Sequence, residues 1–147
     1  MIQTSSTSLI SNTVDLVCNM YLDYYACMSP TRYDLEDRTL HFAKRVRQFL
    51  ARLPRSPANA VDVTQLARSS GSVGANYCEA NDALGKKDFL MRVRIARKEA
   101  KESRYWLQLV DVGECAELEL ERGSLVDEAG QLARILSKIL VNADRRD

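Results

Sequence analysis

An all-α fold, an antiparallel up-down four-helix bundle, is predicted by three features of the amino-acid sequence. Four long stretches repeat apolar residues at steps of three and four, the period of one helix face. The connections between them are short and carry Pro or Gly. No stretch alternates apolar and polar residues as a half-buried strand does. At 147 residues the chain fits one domain with room for a core.

The first helix is predicted over Leu35–Leu53, where Leu35, Phe42, Val46, Phe49 and Leu53 share a face. Asp34, Glu36 and Asp37 sit at its start, where the macrodipole favours anions, and Pro54 and Pro57 end it. The second runs over Ala58–Ala83 with Val63, Leu66, Ser70, Val73, Tyr77 and, just past its end, Leu84 in period. Its middle, Ser69–Ala75, includes Gly71 and Gly74, each costing about 1 kcal/mol in a helix interior unless a neighbouring helix uses the space. A continuous helix is the expectation, and a break at either glycine is the alternative.

Gly85 separates the third helix, Lys86–Val110, whose stripe Phe89, Val93, Ala96, Ala100, Ser103, Leu107, Val110 never misses a step. Asp88 suits its first turn. After a connection containing Gly113, the fourth helix is predicted over Glu117–Val141, with Leu118, Leu125, Ala129, Leu132, Leu136 and Leu140 inward. The domain plan is therefore an N-terminal arm (1–32), the bundle (33–141) and a charged tail (142–147) expected to fray. The arm is Ser/Thr-rich and then aromatic (Tyr21, Tyr24, Tyr25). Met28, where the composition changes, is an alternative start that peptides from residues 1–27 would exclude.

Composition narrows the function classes. Net charge is only +1, so no global field announces a nucleic-acid or membrane partner. No apolar run reaches the roughly 20 residues of a membrane span, and the N-terminus has no basic residue before Arg32; a cytoplasmic location is expected. The four cysteines, Cys18, Cys27, Cys78 and Cys115, form no C-x-x-C pair and read as reduced thiols, with Cys78 a packing residue.

Catalytic chemistry finds no constellation. His41 is the sole histidine and flanks the first helix's core face, so neither a Ser/His/Asp nor a Cys/His arrangement can be argued. A carboxylate-bridged di-metal site needs Glu-x-x-His on two helices, and His41 lacks the glutamate. Arg68, Asn76, Glu79, Glu99 and Glu102 are better read as an interhelical polar network. No metal, cofactor or enzymatic activity is expected.

Local charge is more informative. The third helix carries eight bases against three acids, a surplus of five. At about 100° per residue, seven of them, Lys86, Lys87, Arg94, Arg97, Lys98, Lys101 and Arg104, fall on one flank of the core stripe, and Arg92 does not. This stripe is either a solvated surface or a track for the phosphates of RNA or DNA. Met91, Ile95, Trp106 and Leu109 lie on the other flank and form either a subunit interface or a contact with a second helix of the same bundle. Residues 111–128 hold seven acids and one base, which suits a head-to-tail contact with a neighbour's basic stripe.

Four strings carry a family resemblance: YDLEDRTLHFAKRV (Tyr33–Val46), QLARSSGSVGANYCEAN (Gln65–Asn81), KKDFL (Lys86–Leu90) and RKEAKESRYWL (Arg97–Leu107). Together they resemble the bacterial four helix bundle proteins encoded by intervening sequences in 23S ribosomal RNA genes, across residues 33–140. Gly85 stands where that pattern carries a serine cap. The resemblance implies a ring-shaped homopentamer and a relationship to the accessory variability protein of diversity-generating retroelements, which binds nucleic acid and a reverse transcriptase through basic surface. By that analogy the seven stripe residues become nucleic-acid contacts. The rival expectation is an interaction module whose charges serve only subunit assembly.

Overall fold

The computed structural model of the protein describes residues 35–145, which form four α-helices and no strand. The arm at 1–32, Met28, Asp34, Cys18 and Cys27 lie outside the described residues.

Helix α1 spans Leu35–Leu50, with Glu36 and Asp37 in its first turn and Arg47 in its last, each sign on the favourable end of the macrodipole. It stops short of the expected Leu53. Residues 51–53 turn instead, because the ring of Pro54 disfavours helical geometry in the residue before it. Leu53 is still buried, so the periodic signal was a true core signal extending past the helix.

Helix α2 spans Pro57–Asn81 and is continuous through both glycines. Ser56 caps it by accepting the Asn59 N–H at 3.1 Å, and Pro57 opens it with its φ already helical. Leu66, Ser70 and Val73 are buried as expected, but Leu84 is fully exposed. The helix has closed by then, with the Asp82 N–H turned back onto the Cys78 and Ala80 carbonyls, so a helical period no longer aims residue 84 at the core.

Helix α3 spans Lys86–Leu109. Gly85 sits at its N-cap and supplies no side-chain bond, the weak cap its lack of a side chain requires. The predicted stripe is buried from Val93 to Val110, with Phe89 half-buried, and Leu90, outside the stripe, is buried too. Gly113, at φ 63, makes the left-handed turn into the last helix. Helix α4 spans Ala116–Asp144, past the expected Val141, and all six residues of its stripe are buried.

Helix α1 packs on α2 and α4, and α3 packs on the same two. Residue numbers rise along one helix as they fall along its partner: Arg38, Arg45 and Arg52 reach Glu128, Ser124 and Glu121 in turn. The tightest of these is a fork, Arg38 Nε to Glu128 Oε1 at 2.6 Å and Nη2 to Oε2 at 2.9 Å. The core is Phe42, Phe49, Leu66, Leu107, Leu125, Leu132 and Leu136, none with accessible surface. Between α2 and α3 the buried contact is polar but satisfied. Ser103 donates to Ser69 at 3.0 Å, and Ser69 donates on to the Leu66 carbonyl at 3.3 Å.

Gly123 differs from the glycines of α2. It lies in α4, is exposed, and a Cβ there would meet nothing within 4 Å. Gly123→Ala should therefore raise the unfolding free energy by about 0.5–1 kcal/mol, through helix propensity alone. Urea denaturation followed by circular dichroism checks it; an unchanged midpoint would mean the helix is already broken there.

Candidate nucleic-acid interface

Of the seven cations predicted on one flank of α3, Lys86, Lys87, Arg94, Lys98, Lys101 and Arg104 are exposed and Arg97 is half-buried. Their positions follow from the helix itself, whose adjacent core face is held by Val93, Ala96, Ala100 and Leu107. Among the described residues, none of Lys87, Arg94, Arg97, Lys98, Lys101 and Arg104 makes an ion pair. Arg92, the base the helical wheel placed elsewhere, is paired with two carboxylates. Its Nη1 lies 2.5 Å from Glu79 of α2 and its Nε 4.0 Å from Asp88. The helix thus neutralises the cation that faces α2 and leaves the stripe from Lys87 to Arg104 without a carboxylate partner among the described residues.

Two further features of this face escaped sequence reasoning. Tyr105 is 58% exposed, and helical geometry puts it on the basic flank one turn beyond Lys101. Its ring stands edge-on to Trp106, with centroids 5.2 Å apart and planes at 78°, leaving a face available for stacking. The signal is present in the sequence, because Tyr105 falls on the same side of the helical wheel as the seven bases. The second feature is Arg134, exposed on α4, which lines a shallow groove of about 270 Å³ together with Lys101 and Arg104. No period within one helix could have shown a contact between α3 and α4.

The expected polar network divides. Arg68 Nη2 bonds Glu102 Oε1 at 3.2 Å, and the Trp106 indole N–H points to the same oxygen at 3.4 Å. Glu79 pairs with Arg92 instead, and Asn76 donates back to the Ser72 carbonyl at 2.9 Å. Glu99 holds a buried Oε2 with no hydrogen-bond partner. Arg68–Glu102 and Glu79–Arg92 are thus two separate α2–α3 clasps, while Asn76 bonds within its own helix, so the five residues do not form one network.

The apolar flank also divides. Ile95 is half-buried and Trp106 packs against the core, while Met91 and Leu109 are each 50% exposed. The acids around the start of α4 are largely engaged by their own chain: Glu117 and Glu121 by Arg52, Glu119 by Arg122. His41 is exposed, and so is Cys78, which corrects its reading as a packing residue. Among the described residues no group of three or more His, Cys, Asp or Glu is gathered as a metal would need, and no helix is long and apolar enough to cross a membrane.

Four helices without a strand among the described residues define a small all-α protein, and comparison gives its family. The model of the 23S rRNA-intervening sequence proteins matches residues 32–138, so the chain belongs to that family. A solved protein of unknown function from the S23 ribosomal protein family of Bacteroides thetaiotaomicron VPI-5482 is 32% identical. The match covers 71% of this chain and 96% of that one, with a TM-score of 0.62. No curated protein matches significantly.

Proposed function

We propose that the chain is a non-enzymatic, cytoplasmic, antiparallel up-down four-helix bundle that assembles into a homo-oligomer and binds RNA or DNA through the basic face of α3. The carrying observation is the row of six stripe cations, Lys87, Arg94, Arg97, Lys98, Lys101 and Arg104, with no carboxylate partner among the described residues, beside an Arg92 that has two. Like charges on one face repel, and polyphosphate neutralises them with release of its counterions. Tyr105 adds a ring of the kind on which unpaired bases stack. The matched family's name, which ties its members to ribosomal RNA genes, is compatible with an RNA ligand. A pentameric ring and a protein partner such as a reverse transcriptase follow from family analogy and extend this reading.

The rival reading, in which charge serves only assembly, draws on the exposed Met91 and Leu109. It is weakened by the acids near the start of α4, which Arg52 and Arg122 already occupy. Joint reversal, Arg94→Glu with Lys98→Glu and Lys101→Glu, separates the two. Light scattering coupled to size exclusion, at low and high salt and with a structured RNA, should show loss of RNA co-elution and an unchanged oligomer. RNA retained by the triple variant rejects the nucleic-acid reading, and an oligomer lost with it favours the rival.

A further inference from the structure

The groove between α3 and α4 brings together charges that one helix alone could not. It is lined by Lys101 and Arg104 from α3 and by Gly130, Ala133, Arg134 and Ser137 from α4. Gly130 forms its floor. A Cβ placed there would stand 3.6 Å from Arg134 Nη1 and 3.8 Å from Arg104 Nε, so both guanidinium groups close over the same point. Neither arginine, nor Lys101, has an ion-pair partner among the described residues. Ser137 spends its hydrogen on the Ala133 carbonyl at 2.8 Å and offers no carboxylate to balance them.

Two guanidinium groups that converge without an anion are held against their own repulsion. The helices supply the convergence: Arg104 lies on the α3 flank next to the α4 contact, and Arg134 answers it across the glycine. Guanidinium forks match the paired oxygens of a phosphate, and an ammonium adds a point charge from a third side. From this geometry we infer that the α3–α4 groove is a phosphate-binding subsite, with Arg104 and Arg134 as a two-sided clamp and Lys101 as its third cation. The inference rests on the nucleic-acid reading for the source of the phosphate, which is one phosphodiester of the bound RNA backbone. In that role the groove fixes the register of the strand along the stripe, while the other cations contribute diffuse attraction.

Two probes applied to the full chain test it: inorganic pyrophosphate, followed by NMR of the arginine Nε–H groups, and a labelled single-stranded RNA titrated at several salt concentrations. Pyrophosphate should shift the Arg104 and Arg134 signals together. Arg134→Gln should abolish that response, weaken RNA binding several-fold and flatten the salt dependence by about one phosphate contact. Gly130→Val keeps all three charges but fills the floor, and it too should lose the pyrophosphate response. Its circular dichroism reports whether it folds, and Arg134→Lys, which keeps the charge without the fork, should retain only part of the RNA affinity. An absent pyrophosphate response in the wild-type chain overturns the subsite. An Arg134→Gln variant with wild-type RNA affinity and salt slope also overturns it, while leaving binding by the α3 stripe intact. A chain that binds pyrophosphate in the groove but no RNA upholds the clamp as a site for free phosphate and removes the nucleic-acid reading.

Discussion

Asn59→Ala should lower the unfolding free energy by about 3 kcal/mol, more than a surface asparagine would suggest. Asn59 is 2% exposed and stands in the first turn of α2. Its Nδ2 donates to the Pro54 carbonyl at 2.9 Å and to the Asp111 carbonyl at 2.8 Å, and its Oδ1 accepts the Asp111 N–H at 3.0 Å. One side chain therefore ties the α1–α2 connection to the α3–α4 connection. Truncation leaves a partly buried backbone N–H and two carbonyls without these partners, at up to about 1–3 kcal/mol for each group left unsatisfied. The sum overstates the effect, because each carbonyl has a second lone pair and water can enter the space. Asn59→Asp is the sharper variant. It keeps the shape but, when ionised, sets a carboxylate oxygen against two carbonyl oxygens. Those neighbours disfavour the charged form, so the folded pKa of the new acid lies above its unfolded value. The neutral acid can still donate once, and stability is lost as pH rises through the folded pKa. The deficit of Asn59→Asp should be smaller at pH 4 than at pH 8, each measured against wild type by urea denaturation at that pH. A pH-independent deficit would mean that the carboxylate escapes to solvent.

The Asn59 clasp also shows where sequence reading stopped. A lone Asn after Pro57 carries no period, and two of its three bonds go to backbone groups of Asp111, in a loop more than fifty residues away. Helix existence, the continuity of α2 and nearly all of the core were legible, because each follows from apolar spacing within one element. Leu84 failed for the same reason: the period was extended past the point where the chain ceased to be helical. The basic stripe was legible as a flank of α3, and so was the exclusion of Arg92 from it. Arg134 was not, since its place beside Arg104 depends on how two helices dock across Gly130. Likewise the split of Glu79, Glu99 and Glu102 among different partners depends on helix register, which no single helix encodes.

Gly74→Val should cost about 3 kcal/mol, whereas Gly71→Ala three positions earlier should gain about 0.5–1 kcal/mol. Both glycines interrupt α2 with the same propensity penalty, so the difference isolates tertiary packing. A Cβ on Gly74 would lie 2.9 Å from Thr39 Oγ1 and 3.3 Å from Thr39 Cβ, closer than packed atoms sit. Thr39 cannot yield cheaply. It is fully buried, β-branched, and its hydroxyl donates to the Glu36 carbonyl at 2.8 Å. Seating valine therefore requires either breaking that bond or moving α1 off α2, and such a shift would disturb Phe42, Val46 and Phe49, which α1 buries in the core. At Gly71 a Cβ would meet only Arg47 Nη2 at 3.7 Å, an ordinary contact with the end of a flexible chain. Gly74→Ala should fall between the two, its propensity gain of about 1 kcal/mol offset by the clash. Adding Thr39→Ala to Gly74→Ala should recover stability relative to the sum of the single changes, a coupling of about 1 kcal/mol in a double-mutant cycle. Chemical denaturation of the five variants gives the order. Equal stability for Gly71→Ala and Gly74→Ala would show that α1 does not seat this closely, and the continuous α2 would then lack the packing that offsets its glycines.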